Sequence, residues 1–580
     1  MRICICVILA VSFLSGQVPA SPPEPATDIR DLLDRAVKSH SARVVIPAGE
    51  YRITPRGKDK AHIVLKDITG LVIAAEGVRL ICERASRAID IANCKDLVIR
   101  GLTIDYDPLL NTQGVVEELD VQGRTFTLKV DEGYPCSAEF GSQIQIFEPV
   151  SRLLKKDSWQ MNNAQAEELP DRRLRIRTEN VAALKSMAPG DLVALDRKPE
   201  GLSHAIHVKD SAHVVMEDVT LHGSPSFGVL EHLGEGGHEY RRFKITPGPK
   251  PPGAASERLR SIADDGLHSY AVTKGPLIED CLIERHGDDG IAIHGSYHLI
   301  LGGQGKTVRL ALKREVDFKV GDKMMFYHPD GSHAGEARVT KIGSTRNATP
   351  QELEQIAATT WSLVTPIFKT TAEIELDTDV TLPPGGRVCP ADRCGNGFVV
   401  RNNTVKNHRA RGILIKASDG IIENNTIDGS SIAGIVLSPE FTWMEADFST
   451  GVTIKGNTVR NTGSEPANPS RSQAGAISVS AEGTTNKIAP SGGHRNIVIE
   501  DNTVESCRGA GLVVTSTEHV RITGNRFDRI ETGHFGSKHG ISDKAIIWID
   551  RVKDVFLENN FLPKDGGVVF GKDVLPAATK

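Results

Sequence analysis

Two aspartate pairs, Asp264-Asp265-Gly266 and Asp288-Asp289-Gly290, stand 24 residues apart. Each runs into a short apolar strand bearing a histidine: Leu267-His268-Ser269 after the first pair, Ile291-Ala292-Ile293-His294 after the second. If that offset is one turn of a coiled parallel sheet, the pairs stack as neighbours about 4.8 Å apart. Carboxylates so crowded repel one another, which raises at least one pKa and leaves a protonated acid beside ionised bases. Glycoside hydrolysis asks for this set: one acid protonates the leaving oxygen while another carboxylate acts as nucleophile or activates water. The spacing that separates retaining pairs (about 5 to 5.5 Å) from inverting pairs (about 6.5 to 9.5 Å) is not readable from sequence. Asp-Gly is a common turn dipeptide, so one pair alone would mean little. Two in stacked register mean more. Calcium is the chemical rival, because clustered aspartates also suit a hard cation, and it would fit a polysaccharide lyase. Side chains alternate along a strand, so both members of a pair reach one face only where the backbone bends. Gly287 and Gly290 permit that bend.

The elements that must hold these residues show as a repeat. Asn402-Asn403-Thr404-Val405, Asn424-Asn425-Thr426-Ile427, Gly456-Asn457-Thr458-Val459, Asp501-Asn502-Thr503-Val504, Gly524-Asn525-Arg526-Phe527 and Asn559-Asn560-Phe561 are one turn followed by a strand start. The aligned asparagines step by 22 residues from Asn403 to Asn425 and by 23 from Asn502 to Asn525. A period in the low twenties with three short strands per turn predicts a right-handed parallel β-helix, and the leucine frame of a leucine-rich repeat is missing. The asparagines are scaffold: stacked at equivalent turns, they form amide ladders and tolerate left-handed backbone.

Ile29, Leu32, Leu33, Ala36 and Val37 fall at helical spacing ahead of the strand-like Arg43-Val44-Val45-Ile46, so a capping helix covers the open end of the stack. Two stretches lack the asparagine turn and share a Gly-Asp signature, Pro189-Gly190-Asp191-Leu192-Val193 and Val320-Gly321-Asp322-Lys323-Met324, which reads as two inserted β-barrel-like modules flanking a cleft. The expected order is a signal peptide over 1–20, cap and first coils over 21–106, module 1 over 107–200, the aspartate-bearing coils over 201–299, module 2 over 300–390 and C-terminal coils over 391–580. Arg2, the apolar run Ile3 to Leu14 and Val18-Pro19-Ala20 carry the leader assignment, so the mature chain is expected in the periplasm or outside the cell. No later segment reaches the length of about 20 apolar residues that a membrane span needs.

The net charge of −5, with no basic block, argues against nucleic acid as a partner. Of nine cysteines, Cys4 and Cys6 fall in the leader. Among the other seven, Cys94, Cys281 and Cys507 sit at turns as buried thiols, and only Cys389 with Cys394 suggests a local staple. The spacing of cysteine and histidine does not suit zinc, and His204, His207 and His213 lack a metal-like partner set. Gly234-Glu235-Gly236-Gly237 is a loop, and Glu231 and His232 are candidates to reach the cleft from the preceding coil.

Asp265-Gly266-Leu267-His268, Asp288-Asp289-Gly290-Ile291-Ala292-Ile293-His294-Gly295, Arg411-Gly412-Ile413-Leu414-Ile415 and Trp443-Met444-Glu445 together resemble glycoside hydrolase family 110. Members of that family are exported bacterial α-galactosidases that remove terminal α-1,3-linked galactose with inversion, and the resemblance covers most of the mature chain. It implies Asp288 as general acid, Asp265 and Asp289 as the water-activating base or bases, a carbohydrate substrate with terminal α-galactose, and no cofactor or metal. Asp264 is then the structural member of its pair. Trp443 and Glu445 suit substrate contact, an aromatic face for the sugar's C–H surface and a carboxylate for its hydroxyls. His268, His294 and Arg411 complete the expected binding set, with Arg411 and Lys416 either solvated or binding an anionic sugar. A homodimer stays open. So do three other readings: a polygalacturonase-like hydrolase of acidic polysaccharide, a calcium-dependent lyase, and a non-catalytic glycan-binding β-helix.

Overall fold

The computed structural model describes residues 28–576 apart from 202, 381, 383–384, 467–472 and 533–538. The leader over 1–20 lies outside the described residues. The chain is a right-handed parallel β-helix built from two parallel sheets, one of 23 strands and one of 11. Three faces arise from two sheets because some strands of the larger one turn a corner. Ala510–Thr523 pairs with Gly475–Val479 along its first half and with His494–Glu500 along its second, and Ser516 between them takes a left-handed φ of 56°. The interior is a continuous column of Ile, Val and Leu, with Ile89, Ile291, Ile413, Ile435 and Ile477 among the buried members.

The end of the stack is closed as the helical spacing predicts. Ile29–Lys38 is an α-helix whose N-cap Asp28 accepts from the backbone N–H of Arg30, and it buries Ile29, Leu33 and Ala36 against the first coils. No helix among the described residues is long and apolar enough to cross a membrane.

The asparagine ladder runs unbroken. Each amide oxygen accepts both the backbone N–H and the Nδ2 of the asparagine one coil earlier, from Asn403 to Asn425 to Asn457 to Asn502 to Asn525 to Asn560, with amide-to-amide distances of 2.9 to 3.0 Å. The left-handed residue is the one before, Asn402, Asn424, Gly456, Asp501, Gly524 or Asn559, so the ladder asparagine is chosen for its amide and not for its backbone. Cys281 begins the column by donating its N–H to Asn403. Cys389 and Cys394 are buried neighbours with sulfurs 3.4 Å apart and no bond between them.

Two seven-stranded antiparallel sheets interrupt the coils, each with its own apolar core. The first runs from Asn111–Asp120 to Leu192–Arg197 and stays open between its edge strands Met161–Asn162 and Gln165–Leu169. The second runs from His298–Gln304 to Arg387–Pro390 and closes into a ring, because Thr307–Leu312 pairs with Thr370–Leu376. Neither disturbs the helix: Ile291–Ser296 stacks directly on Arg411–Lys416 across the second insertion.

Removing one rung of the ladder orphans buried groups. Asn457→Ala strips the acceptor from the N–H and Nδ2 of Asn425 and the donor from the carbonyl of Ile422. At about 1 to 3 kcal/mol per orphaned group, the expected loss is at least about 3 kcal/mol. A denaturant midpoint equal to wild type would show that the ladder does not hold the coils.

Candidate functional site

The register places the aspartates as their spacing predicts. Leu267 pairs with Ile291 and Ile291 with Ile413, so Asp265, Asp289 and Arg411 form one vertical column. The backbone N–H of Asp289 donates to Asp265 Oδ1 at 3.3 Å, and that of Arg411 donates to Asp289 Oδ1 at 2.8 Å. One oxygen from each of Asp265, Asp288 and Asp289 lies within 4.8 Å of the others. The nearby glycines serve close approach more than bending: a Cβ on Gly287 would stand 1.6 Å from the carbonyl oxygen of Ala263, and neither Gly287 nor Gly290 has a positive φ.

The three carboxyls have different surroundings. Asp288 is the most accessible, its side chain 31% exposed against 10% for Asp265 and 8% for Asp289, and Arg409 donates to it at 2.6 Å. Asp289 faces the Arg411 guanidinium at 3.1 Å, yet burial outweighs that partner and, with Asp288 and Asp265 nearby, pushes its pKa up to about 7. Burial and the charges of Asp288 and Asp264 push Asp265 well above the ordinary carboxylate range. Asp264 lies apart, accepting from Ser226 at 2.7 Å and from Gln143 of module 1 at 3.1 Å, which suits its structural role.

Hydrogen bonds locate one proton. His294 Nδ1 lies 2.7 Å from the carbonyl of Gly295, so it carries hydrogen and, in the neutral ring, its Nε2 is bare. His268 Nε2 stands 2.7 Å from that atom and must donate, which leaves His268 Nδ1 bare. The 2.6 Å contact between His268 Nδ1 and Asp265 Oδ2 then requires hydrogen on the carboxyl. Burial agrees, lowering His268 to about 4 and His294 well below the usual imidazole range. With both rings neutral, Asp265 is the acid that carries the proton. Phe227 stacks on the His268 ring at 4.6 Å and holds its plane.

The other predicted residues divide. Glu445 is half-buried, and its contact with Lys416 at 2.7 Å, with Lys313 nearby, overcomes the burial and keeps it ionised. Lys416 is neither solvated nor open to a ligand: it is fully buried between Glu440 and Glu445. Arg411 likewise divides itself between Asp289 and Glu440. Trp443 stands away from the carboxyls, at the mouth of a cavity of about 820 Å³ that Arg411 also lines. Glu231 does not reach the cleft, because its register with Ser269 turns it inward, where Ser269 and Tyr240 donate to it. His232 stacks on Tyr270 at 4.9 Å.

Sequence reasoning missed Arg409, Glu440, Gln143 and Gln145. Gln145 donates to the carbonyl of Gly287 at 3.2 Å, and Gln143 both accepts from Arg260 and donates to Asp264, so module 1 braces both aspartate turns. The alternation of Gln143 and Gln145 with Ile144 and Ile146 marked a strand with one polar face; nothing in it marked the partner. Asp265, Asp288 and Asp289 are also the set that could bridge a cation. Asp265 Oδ2 already gives its hydrogen to His268 and the other oxygens accept from Arg409, Arg411 and two backbone N–H groups, whereas calcium asks for six to eight oxygens, so the donor set fits protons better than a metal.

A family model described as right handed beta helix region matches residues 391–527. The chain is 24% identical to alpha-1,3-galactosidase B of Bacteroides thetaiotaomicron over all of this chain and 96% of that protein. It is 23% identical to alpha-1,3-galactosidase A of Streptomyces avermitilis, covering 84% of this chain and 82% of the relative. Among solved structures, the catalytic domain of GH87 alpha-1,3-glucanase in complex with nigerose aligns with a TM-score of 0.40 at 10% identity, over 97% of this chain and 70% of that one.

Glu231 gives the buried acids a direct test. Burial raises its pKa to about 7, above the unfolded value near 4.3, so the folded state binds the extra proton between those limits. Its stabilising share is complete below pH 4 and is lost as pH rises through 7. Glu231→Gln, which imitates the protonated form, is expected to gain stability over wild type at pH 8, with the gain vanishing at pH 4. Equal thermal midpoints for the two proteins at pH 8 would contradict the assignment.

Proposed function

We propose that this protein is an exo-acting glycoside hydrolase that releases terminal α-galactose, α-1,3-linked, from glycans with inversion at the anomeric carbon. The observation that carries the reading is the trio Asp265, Asp288 and Asp289, three carboxyls within 4.8 Å of which one is held protonated by its histidine. Likeness to curated alpha-1,3-galactosidases over the whole chain supports the sugar and the linkage. The leader-like N-terminus supports export.

Crowding makes the trio a coupled set that keeps a proton at neutral pH. The proton of the set, resting on Asp265, moves to Asp288, the most exposed member, which passes it to the glycosidic oxygen as the bond from that oxygen to the anomeric carbon breaks, leaving Asp265 ionised. Water held by Asp289 and Asp265 bonds to the carbon from the opposite side and gives its proton to one of them. A retaining mechanism needs two carboxyls, a nucleophile and an acid/base. A third lets two hold water while one protonates, which supports inversion although the closest oxygens, within 4.8 Å, stand nearer than the separation of about 6.5 to 9.5 Å usual for an inverting pair. A neutral sugar fits better than a uronic acid, because Arg409, Arg411 and Lys416 are each already paired with a protein carboxylate.

Two measurements test the reading. Asp288→Asn is expected to lower kcat on α-1,3-galactobiose by about 10³-fold, within the span of general-acid effects, with KM changed little. Proton NMR of the wild-type reaction is expected to show β-galactose first. Early α-galactose would overturn inversion, and failure to cleave any α-galactoside would overturn the function. A second prediction concerns His294→Phe, which removes the acceptor of His268 Nε2. His268 is then free to carry hydrogen on Nδ1 and donate to an ionised Asp265, so the proton of the set is lost more easily and the alkaline limb of the kcat/KM profile should move to lower pH.

A further inference from the structure

Module 2 supplies part of the wall of the cavity beside the site, through Pro329, the Ala358-to-Trp361 turn, Gly385 and Arg387. Its helix Pro350–Thr359 runs out into Trp361, which meets Trp443 of the β-helix edge to face with ring centroids 4.6 Å apart at 83°. Both indoles are 43% exposed. Large aromatic surface left in water, clustered and rimmed by polar groups, marks a binding surface. The pair walls the cavity of about 820 Å³, within the span of roughly 300 to 1,000 Å³ typical of small-molecule sites.

Arg387, Arg411, Glu440 and Gln473 also line it, and three buried polar atoms in that wall lack a hydrogen-bond partner: the donors Arg387 Nε and Arg411 Nε and the acceptor Gln473 Oε1. Buried polar groups are otherwise almost always satisfied. An aromatic face with unmet donors and an unmet acceptor suits a neutral saccharide, whose C–H surface packs on indole and whose hydroxyls both give and accept hydrogen bonds.

We propose that this cavity binds the saccharide left behind after cleavage, a neutral sugar of one or more rings held against Trp361 and Trp443. The proposal rests on the exo-galactosidase reading. Under exo action no sugar lies beyond the terminal galactose on its non-reducing side. The cavity adjoins the carboxyls through Arg411, which contacts Asp289, but the three aspartates are not among its walls. A sugar there belongs to the leaving side, so module 2 selects the leaving group.

The protein reports on its own cavity, since it has four tryptophans and Trp548 is buried while Trp361 and Trp443 are exposed. Lactose is the probe: it has no α-galactosidic bond, and its galactose O3 is free, where an α-1,3 bond would have been. Saturable fluorescence change on adding lactose is expected in wild type and in Trp159→Phe, with affinity at least tenfold weaker in Trp361→Ala. On lactose capped by α-1,3-galactose, Trp361→Ala should raise KM about tenfold and leave kcat within about threefold; Trp361→Phe should restore most of the loss. Turnover of α-galactosides without saturable lactose binding, or unchanged lactose affinity in a folded Trp361→Ala, would overturn the cavity proposal alone. Lactose binding without turnover of any α-galactoside would overturn the catalytic reading and the leaving-side assignment with it.

Discussion

Backbone hydrogen bonds between successive coils fix the vertical distance between equivalent residues, and the site depends on that spacing. Parallel strands lie about 4.8 Å apart, so residues in one column are held closer than like charges would choose. The Asn403–Asn560 ladder adds side-chain bonds to the backbone ones through the C-terminal coils. A scaffold this stiff forces Asp265 and Asp289 together, and their repulsion is relieved by protons and cations, not by movement.

Relief arrives from both directions along the stack. Toward the C-terminus, the next coil supplies Arg409 and Arg411 to Asp288 and Asp289. Toward the N-terminus, Asp265 meets no arginine among the described residues and keeps its proton against His268. Arg411 is in turn shared with Glu440, which also contacts Lys416, which binds Glu445 near His294. The carboxyls thus belong to a charge network running through two further coils, and a change at any member alters the proton affinity of the rest.

Much of this was legible in the sequence because it is periodic. The 24-residue offset of the Asp-Asp-Gly turns and the asparagine steps follow one coil period, and register makes each a spatial contact. His268 and His294 were visible as strand residues, though their ring-to-ring bond needs the diagonal across two coils. What escaped was aperiodic. Arg409 is 121 positions from Asp288, across the second insertion, and Gln143 is 121 from Asp264, inside the first. Trp361 sits at the end of a helix inside a module that the repeat does not describe. Lys416 reads from sequence as solvated or as a ligand for an anionic sugar; its burial follows from two glutamates brought in by the Glu440–Glu445 segment.

The second insertion leaves and rejoins the coil at adjacent points: His298 pairs with Val388 and Leu299 with Arg387. Its length is therefore invisible to the helix, and 122 residues separate strands that stack as though nothing intervened. Such an arrangement separates two evolutionary clocks. The catalytic coils can change little without breaking register, whereas the module can lengthen, shorten or be exchanged while its two feet stay in place. New leaving-group preferences can arise by drift in the insertion, with the chemistry inherited unchanged.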